Sequence, residues 1–307
     1  MLILCHMTSS GMGLHSFCWR QGLFWFSPQR IVHWEAVPSV GTEHELDHAI
    51  HAHTAELFII IFIAIMLFLY LGTAFKSSKR HKPWPAYRIV FFALGLFFAA
   101  AAVVGPLAKQ AHNDFSAHMI GHLLLGMLAP LLLVLSAPVT LLLRTLRTSA
   151  ARKVSGFLKK KIFLFYLHPI VASILNIGGL WILYTTNIYA AMHHSLIVHF
   201  IVHIHVFLAG YLFTASFVYI DPVAHRYSFP FRSIIFILAL AGHGILSKYI
   251  YAHPPAGVLQ AQAETGAMIM YYGGDAIDFL IIVILCYQWY RKKGYGSLKE
   301  NGIQAIR

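Results

Sequence analysis

Seven stretches of nearly unbroken apolar sequence, each close to the length of a bilayer-crossing helix, leave this chain little choice of fold. They run approximately over 55–75, 87–108, 116–143, 163–186, 193–220, 232–252 and 267–290. About 20 residues of α-helix cross the hydrocarbon of a membrane. Inside lipid the backbone must satisfy its own hydrogen bonds, so each run reads as a helix. Composition agrees: 58% of the 307 residues are hydrophobic and only 11% are charged, far from a soluble domain. The expected fold is an all-α polytopic membrane protein with seven transmembrane helices. Residues 1–54 are expected as an extracytoplasmic tail, 55–291 as the membrane domain, and 292–307 as a basic tail. No soluble domain and no internal repeat is legible. Met7 and Met12 are plausible alternative starts.

The basic residues set the orientation. The net charge of +12 is concentrated in alternate loops. One loop carries Lys76, Lys79, Arg80, Lys82 and Arg88. The next carries Arg144, Arg147, Arg152, Lys153 and Lys159 to Lys161. Arg226 and Arg232 follow, then Arg291, Lys292, Lys293, Lys299 and Arg307. The intervening loops hold little beyond Lys109 and Lys248. Lys and Arg accumulate on the cytoplasmic side, so the N-terminus is expected outside and the C-terminus in the cytoplasm. Charge placed this way is a topology signal. The partner it implies is the lipid bilayer, with no nucleic acid.

Histidine is the unusual count, twenty against eleven acids. His118 and His122 are four apart in the third run, on one helix face. His199 and His203 repeat that spacing in the fifth. Helical rise places His122 roughly 10 Å, and His199 and His203 about 9 and 15 Å, below the outer ends of their helices. His243 and Asp275 come out about 13 Å deep on the same reckoning. Asp278 is expected to share a face with Asp275. Ionisable side chains in a membrane span are functional candidates by default. Several imidazoles in one low-dielectric layer need a compensator, and a cation balanced by an acid is one. The expected metal ligands are therefore His118, His122, His199, His203, His243, Asp275 and Asp278. His112, His193, His194, His205 and Met192 form a possible secondary metal or supporting set. His253, Met268 and Met270 are expected at the outer rim. A further group, His44, His48, His51 and His53, lies among acids in the tail and reads as a linker, a short interfacial helix or a metal-collecting arm.

Other features have plainer readings. His168-Pro169 is expected to start a helix, and Pro130 and Pro138 to kink one. Gly178-Gly179 and Gly273-Gly274 allow close helix approach. The three cysteines, Cys5, Cys18 and Cys286, form no CxxC pair, and Cys286 is expected as a small buried hydrophobe. Imidazole with carboxylate suits copper, zinc or iron. Copper would lean on His and Met; zinc would imply a membrane hydrolase with an activated water.

Three segments carry a resemblance: FSAHMIGHLLLGMLAPLLLVLSAPVTLLLR at 115–144, HHSLIVHFIVHIHVFLAGYLF at 193–213, and GAMIMYYGGDAIDFLIIVILCYQWYR at 266–291. Across roughly 55–291 the chain resembles the CtaG-type cytochrome c oxidase assembly factors, seven-span proteins of bacterial plasma membranes. The resemblance implies a non-enzymatic role in the respiratory chain: a copper chaperone for a cytochrome c oxidase subunit in the same membrane. Gly121 departs from the family pattern, where Gln is expected; a hydrogen-bond partner for the site is then lost or comes from elsewhere. The residues alone leave two other readings open. One is an intramembrane zinc-dependent hydrolase; the other is a haem-binding electron carrier with axial His on facing helices.

Overall fold

The structure is a computed structural model. It describes the backbone of residues 41–223 and 225–304, and side chains for 54, 56–223 and 225–292. The chain divides into two compact units, Met1–His48 and Ala49–Arg307. Of the first, only the helical backbone from residue 41 is described. The side chains of His44, His48, His51 and His53 lie outside the described residues.

Among the described residues every regular element is helical. Helix α1 spans Gly41–Arg80, well beyond the expected start at 55, and ends before Pro83 and Pro85. Helix α2 follows at Ala86–Val103. Gly105, at φ 90°, takes a turn that a side chain would resist, and Pro106 opens the short α3, Pro106–Ala111. The Asp114 carboxylate accepts from the Ser116 amide at 2.9 Å and starts α4, Phe115–Leu123. A single π turn, Leu124–Leu128, then precedes α5, Ala129–Leu135. Pro130 cannot donate to residue 126 and its ring crowds that carbonyl, so the wider turn there is its local consequence. Ala137 is left-handed at φ 54°, and Pro138 opens α6, Pro138–Thr145. Thus the Pro138 break is a left-handed residue, Ala137, inside one continuous 115–145 run, and the Pro130 distortion is a π bulge.

Helices α7, Thr148–Leu158, and α8, Lys161–Tyr166, carry the basic loop. His168 Nδ1 accepts from the Ile170 amide at 3.2 Å and Pro169 opens α9, Pro169–Ser173, a helix start as expected. A second π turn, Ile174–Gly178, leads into α10, Gly179–Thr185. Helices α11, Ile188–His194, and α12, Leu196–Phe217, come next. Then follow α13, Phe229–Ala252, and α14, Gln260–Gln304.

Among the described residues six helical runs are long and apolar enough to cross a membrane: 56–80, 86–103, 115–145, 196–217, 229–252 and 260–292. The expected span at 163–186 is different. Pro169–Thr185 and Ile188–His194 form a pair bent by 74°. The count is therefore six, or seven if that pair is one span. The bend has a local cause. Thr185 and Thr186 turn their hydroxyls onto the Trp181 and Ile182 carbonyls, both at 2.6 Å, which closes the helix end. The same geometry moves His193 and His194 off the fifth run: they end α11, and Ser195 caps α12 by accepting from the Val198 amide.

The 115–145 run is the centre of the bundle. Of its most apolar window 61% is buried, against 11–28% for the other five. Helices α1 and α2 face outward with exposed Phe58, Phe62, Phe68 and Phe97, a surface suited to lipid. One core cluster surrounds Phe115, Met119, Tyr184, Leu246 and Met270, so Met270 is core and not rim. A second gathers Leu131, Phe213, Phe217, Phe236 and Ile281. Cys286 is exposed on α14, contrary to the expected burial; an outward face in lipid can be as apolar as the core.

Two long-range ties fix the break at 136–138. Tyr70 donates to the Ser136 carbonyl at 2.8 Å and accepts from Trp84 Nε1 at 3.1 Å. Asp221 accepts from the amides of Val139 and Thr140 and from the Thr140 hydroxyl at 3.1, 2.7 and 2.6 Å. Ala137 offers no capping oxygen, so the first turn of α6 draws its cap from Asp221, 81 residues beyond Thr140.

Candidate functional site

The basic loops lie together at one end: Arg144 donates to the Lys82 carbonyl at 2.9 Å, and His81 Nε2 lies 3.2 Å from the Arg144 carbonyl. The histidine-rich site is built toward the opposite end. Helix α4 puts His118 and His122 one turn apart, and α12 stacks the rings of His199 and His203 at 4.2 Å between centroids. His118, His122 and His203 line one cavity of about 30 Å³, together with Gly121, Tyr184 and Met192. That volume suffices for one water-sized occupant.

Each histidine is oriented by a different contact. His118 Nε2 lies 3.1 Å from the Tyr184 hydroxyl, and its ring is edge-on to Tyr189 at 5.0 Å. Tyr184 was not among the expected site residues; its depth near the outer end of the fourth apolar run was the available signal. It supplies a polar partner on the side where Gly121 supplies none. His203 Nδ1 is 2.8 Å from the His199 carbonyl. A carbonyl only accepts, so Nδ1 carries the proton and Nε2 keeps its lone pair. His122 is 6% exposed, and its Nε2 has no hydrogen-bond partner among the described groups.

The imidazoles continue in both directions. Toward the surface, His199 stacks on His112 at 5.3 Å, and His112 meets His193 edge-on at 6.3 Å. His112, His193 and His194 are exposed and line a wider cavity at the rim. Toward the core, His122 faces His243 at 6.5 Å. His243 and Asp278, both 3% exposed, line a small cavity with Asn176 and Met127. His243 Nε2 and Asp278 Oδ1 also lack partners. Asn176 and Met127, each from a π turn, were also missed by the sequence reading.

The remaining expected residues are placed apart. Asp275 is exposed while Asp278 is buried. Three residues advance a helix by about 300°, and the boundary between its faces runs between them. His205 Nε2 lies 3.2 Å from the Leu175 carbonyl and packs on Gly179, so it ties α12 to the second π turn, away from His194. Gly274 gives room to His243, and Gly273 to Leu123. Among the described residues no three His, Cys, Asp or Glu side chains stand as a ready group around one ion. The arrangement is a file of imidazoles, exposed at the rim and buried at His122 and His243.

A sequence model of the cytochrome c oxidase caa3 assembly factor family (Caa3_CtaG) matches residues 52–292. The chain belongs to this family. The match covers the whole histidine file and every membrane-length helix. Similar proteins include an uncharacterized protein of Mycobacterium leprae, 26% identical over 253 residues, which cover 76% of this chain and 38% of the relative. Uncharacterized proteins of Mycobacterium bovis and Mycobacterium tuberculosis are each 31% identical over 246 residues, 73% of this chain and 37% of theirs. The chain thus spans less than two-fifths of the length of these relatives. No solved structure matches it.

Proposed function

We propose that this family member helps to assemble a cytochrome c oxidase in a bacterial plasma membrane by receiving copper from outside and passing it laterally to an oxidase subunit. The observation that carries this reading is the graded file from exposed His112 and His193, through His199, to His118, His203 and buried His122. The donor set suits the cargo. Imidazole nitrogens and the Met192 thioether bind copper, and no cysteine lines the three cavities of the file to hold it tightly. His203 has its tautomer fixed by the His199 carbonyl, which readies Nε2 to coordinate. His122 Nε2, otherwise unpartnered in an apolar layer, gains a partner when an ion enters. His243 and Asp278 supply charge balance below. Ligands met a few at a time bind an ion and release it by exchange, which a relay requires. The histidines at 44–53 add capture by raising the local copper concentration.

The test is a deletion strain grown under copper limitation. Oxidase activity and copper content should fall while the oxidase polypeptides are still made. His122→Ala and His203→Ala should reproduce the defect with the protein inserted at normal level, and purified variants should carry less copper. A fully copper-loaded, active oxidase in the deletion strain would refute the proposal.

A further inference from the structure

The end of the bundle that carries the basic loops contains the largest cavity described, about 780 Å³, within the range of small-molecule sites. It is walled by the start of α2, residues 219, 220 and 226–228, the start of α13 and residues 284–292 of α14. Arg88, Arg226, Arg232, Arg291 and Lys292 line it, and no Asp or Glu does. Three of its lining residues hold buried nitrogens with no hydrogen-bond partner: Arg88 Nε, Arg232 Nε and Gln288 Nε2.

Arg232 is the centre of this set. It is 6% exposed, and its Nη1 donates to the Phe217 carbonyl that ends α12. Its guanidinium lies over the Tyr219 ring at 4.2 Å. The Tyr219 hydroxyl accepts from the Tyr227 amide at 3.1 Å, which holds that ring in place. Gln288 Oε1 accepts from the Tyr219 amide, leaving its Nε2 for another acceptor. Arg88 is braced over Trp84 at 4.7 Å. A guanidinium nitrogen buried without an acceptor costs free energy, so two of them in one cavity, Arg88 Nε and Arg232 Nε, call for a shared anion.

We propose that this cavity binds the phosphodiester headgroup of an anionic phospholipid. Guanidinium groups match phosphate oxygens in pairs, and a basic pocket between membrane helices is a recognised headgroup site. Helix α14 continues the site into the bilayer: exposed Leu280, Val283 and Tyr287 form one stripe leading to the cavity. That stripe offers an acyl chain a track that free phosphate has no use for. The Trp289 ring, stacked on Phe229 at 5.0 Å, stands at the cavity wall, where a membrane-interface aromatic belongs.

The test uses the purified full chain in detergent, titrated with phosphatidylglycerol, phosphatidylcholine or inorganic phosphate, with bound lipid counted by native mass spectrometry. Phosphatidylglycerol should bind saturably, and the other two should not. Arg88→Gln and Arg226→Gln should each weaken binding by about fivefold, the equivalent of roughly 1 kcal/mol per basic residue. Arg226 is exposed, so its variant leaves folding intact. Arg232 is left unchanged because it also caps α12. Equal binding of phosphatidylcholine, or unchanged phosphatidylglycerol binding in both variants, would overturn the site. Inorganic phosphate binding as tightly as the lipid would overturn the lipid in favour of a soluble phosphate compound.

Discussion

Gly210→Ala is expected to disable the histidine file without touching a histidine. A Cβ at residue 210 would overlap the Gly126 carbonyl oxygen, and would stand 2.9 Å from the Gly126 carbonyl carbon and 3.2 Å from Pro130 Cγ. Carbon atoms rest at about 3.5–4.0 Å, so α12 must part from the first π turn by roughly 1 Å. The backbone on both sides is helical, and no flexible side chain can give way. Overpacking of this kind costs about 1–3 kcal/mol. Residue 210 lies seven positions from His203, about 10 Å along the same helix face. Moving α12 outward carries His203 away from His118 and His122, which stay together on α4. Metal–ligand distances tolerate about 0.2 Å, so the copper affinity proposed for the file should fall at least about tenfold. The assays are copper content after purification and thermal unfolding in detergent. Gly72→Ala is the control, since nothing lies within 4 Å of its added carbon. If Gly210→Ala keeps the copper content and melting temperature of the parent while Gly72→Ala does too, the close approach at Gly126 does not position the site.

Tyr184→Phe should strand His118 Nε2 and destabilise the chain by about 1–3 kcal/mol, read as a lower melting temperature, with the helices still inserted. Asp221→Asn should weaken the first turn of α6 by about 1–2 kcal/mol, because a carboxylate receiving three donors becomes a neutral amide; Asp221→Ala should cost more. Single cysteines placed in 144–162 and in the C-terminal tail should both be labelled only from the cytoplasmic side by an impermeant reagent. Labelling of 144–162 from outside would reverse the topology read from the basic loops.

The apolar runs and the Lys and Arg clusters made a multi-span helical protein legible from sequence, because lipid forces any such run to close its own hydrogen bonds. The pairs His118/His122 and His199/His203 were legible too, since spacing along one helix fixes a shared face. Sequence did not decide which helices bring those faces together. In a soluble protein, polar and apolar sides mark inside from outside; here the lipid face is as apolar as the core, so α12 exposes Ile197, Ile201 and Ile204 while burying Val206 and Phe213. Rotation is set by contacts between residues far apart in the chain: Gly210 on Gly126, His243 on Gly274, and His205 on Gly179. Those contacts put Asp278 inside and Asp275 outside, and drew Tyr184 onto His118. The bend at Thr185–Asn187, closed by hydroxyls onto the preceding turn, likewise carried His193 to the rim. Periodicity within one helix fixes neighbours on that helix, while the partner across the gap depends on which small residues let two backbones touch, and only the packed bundle decides that.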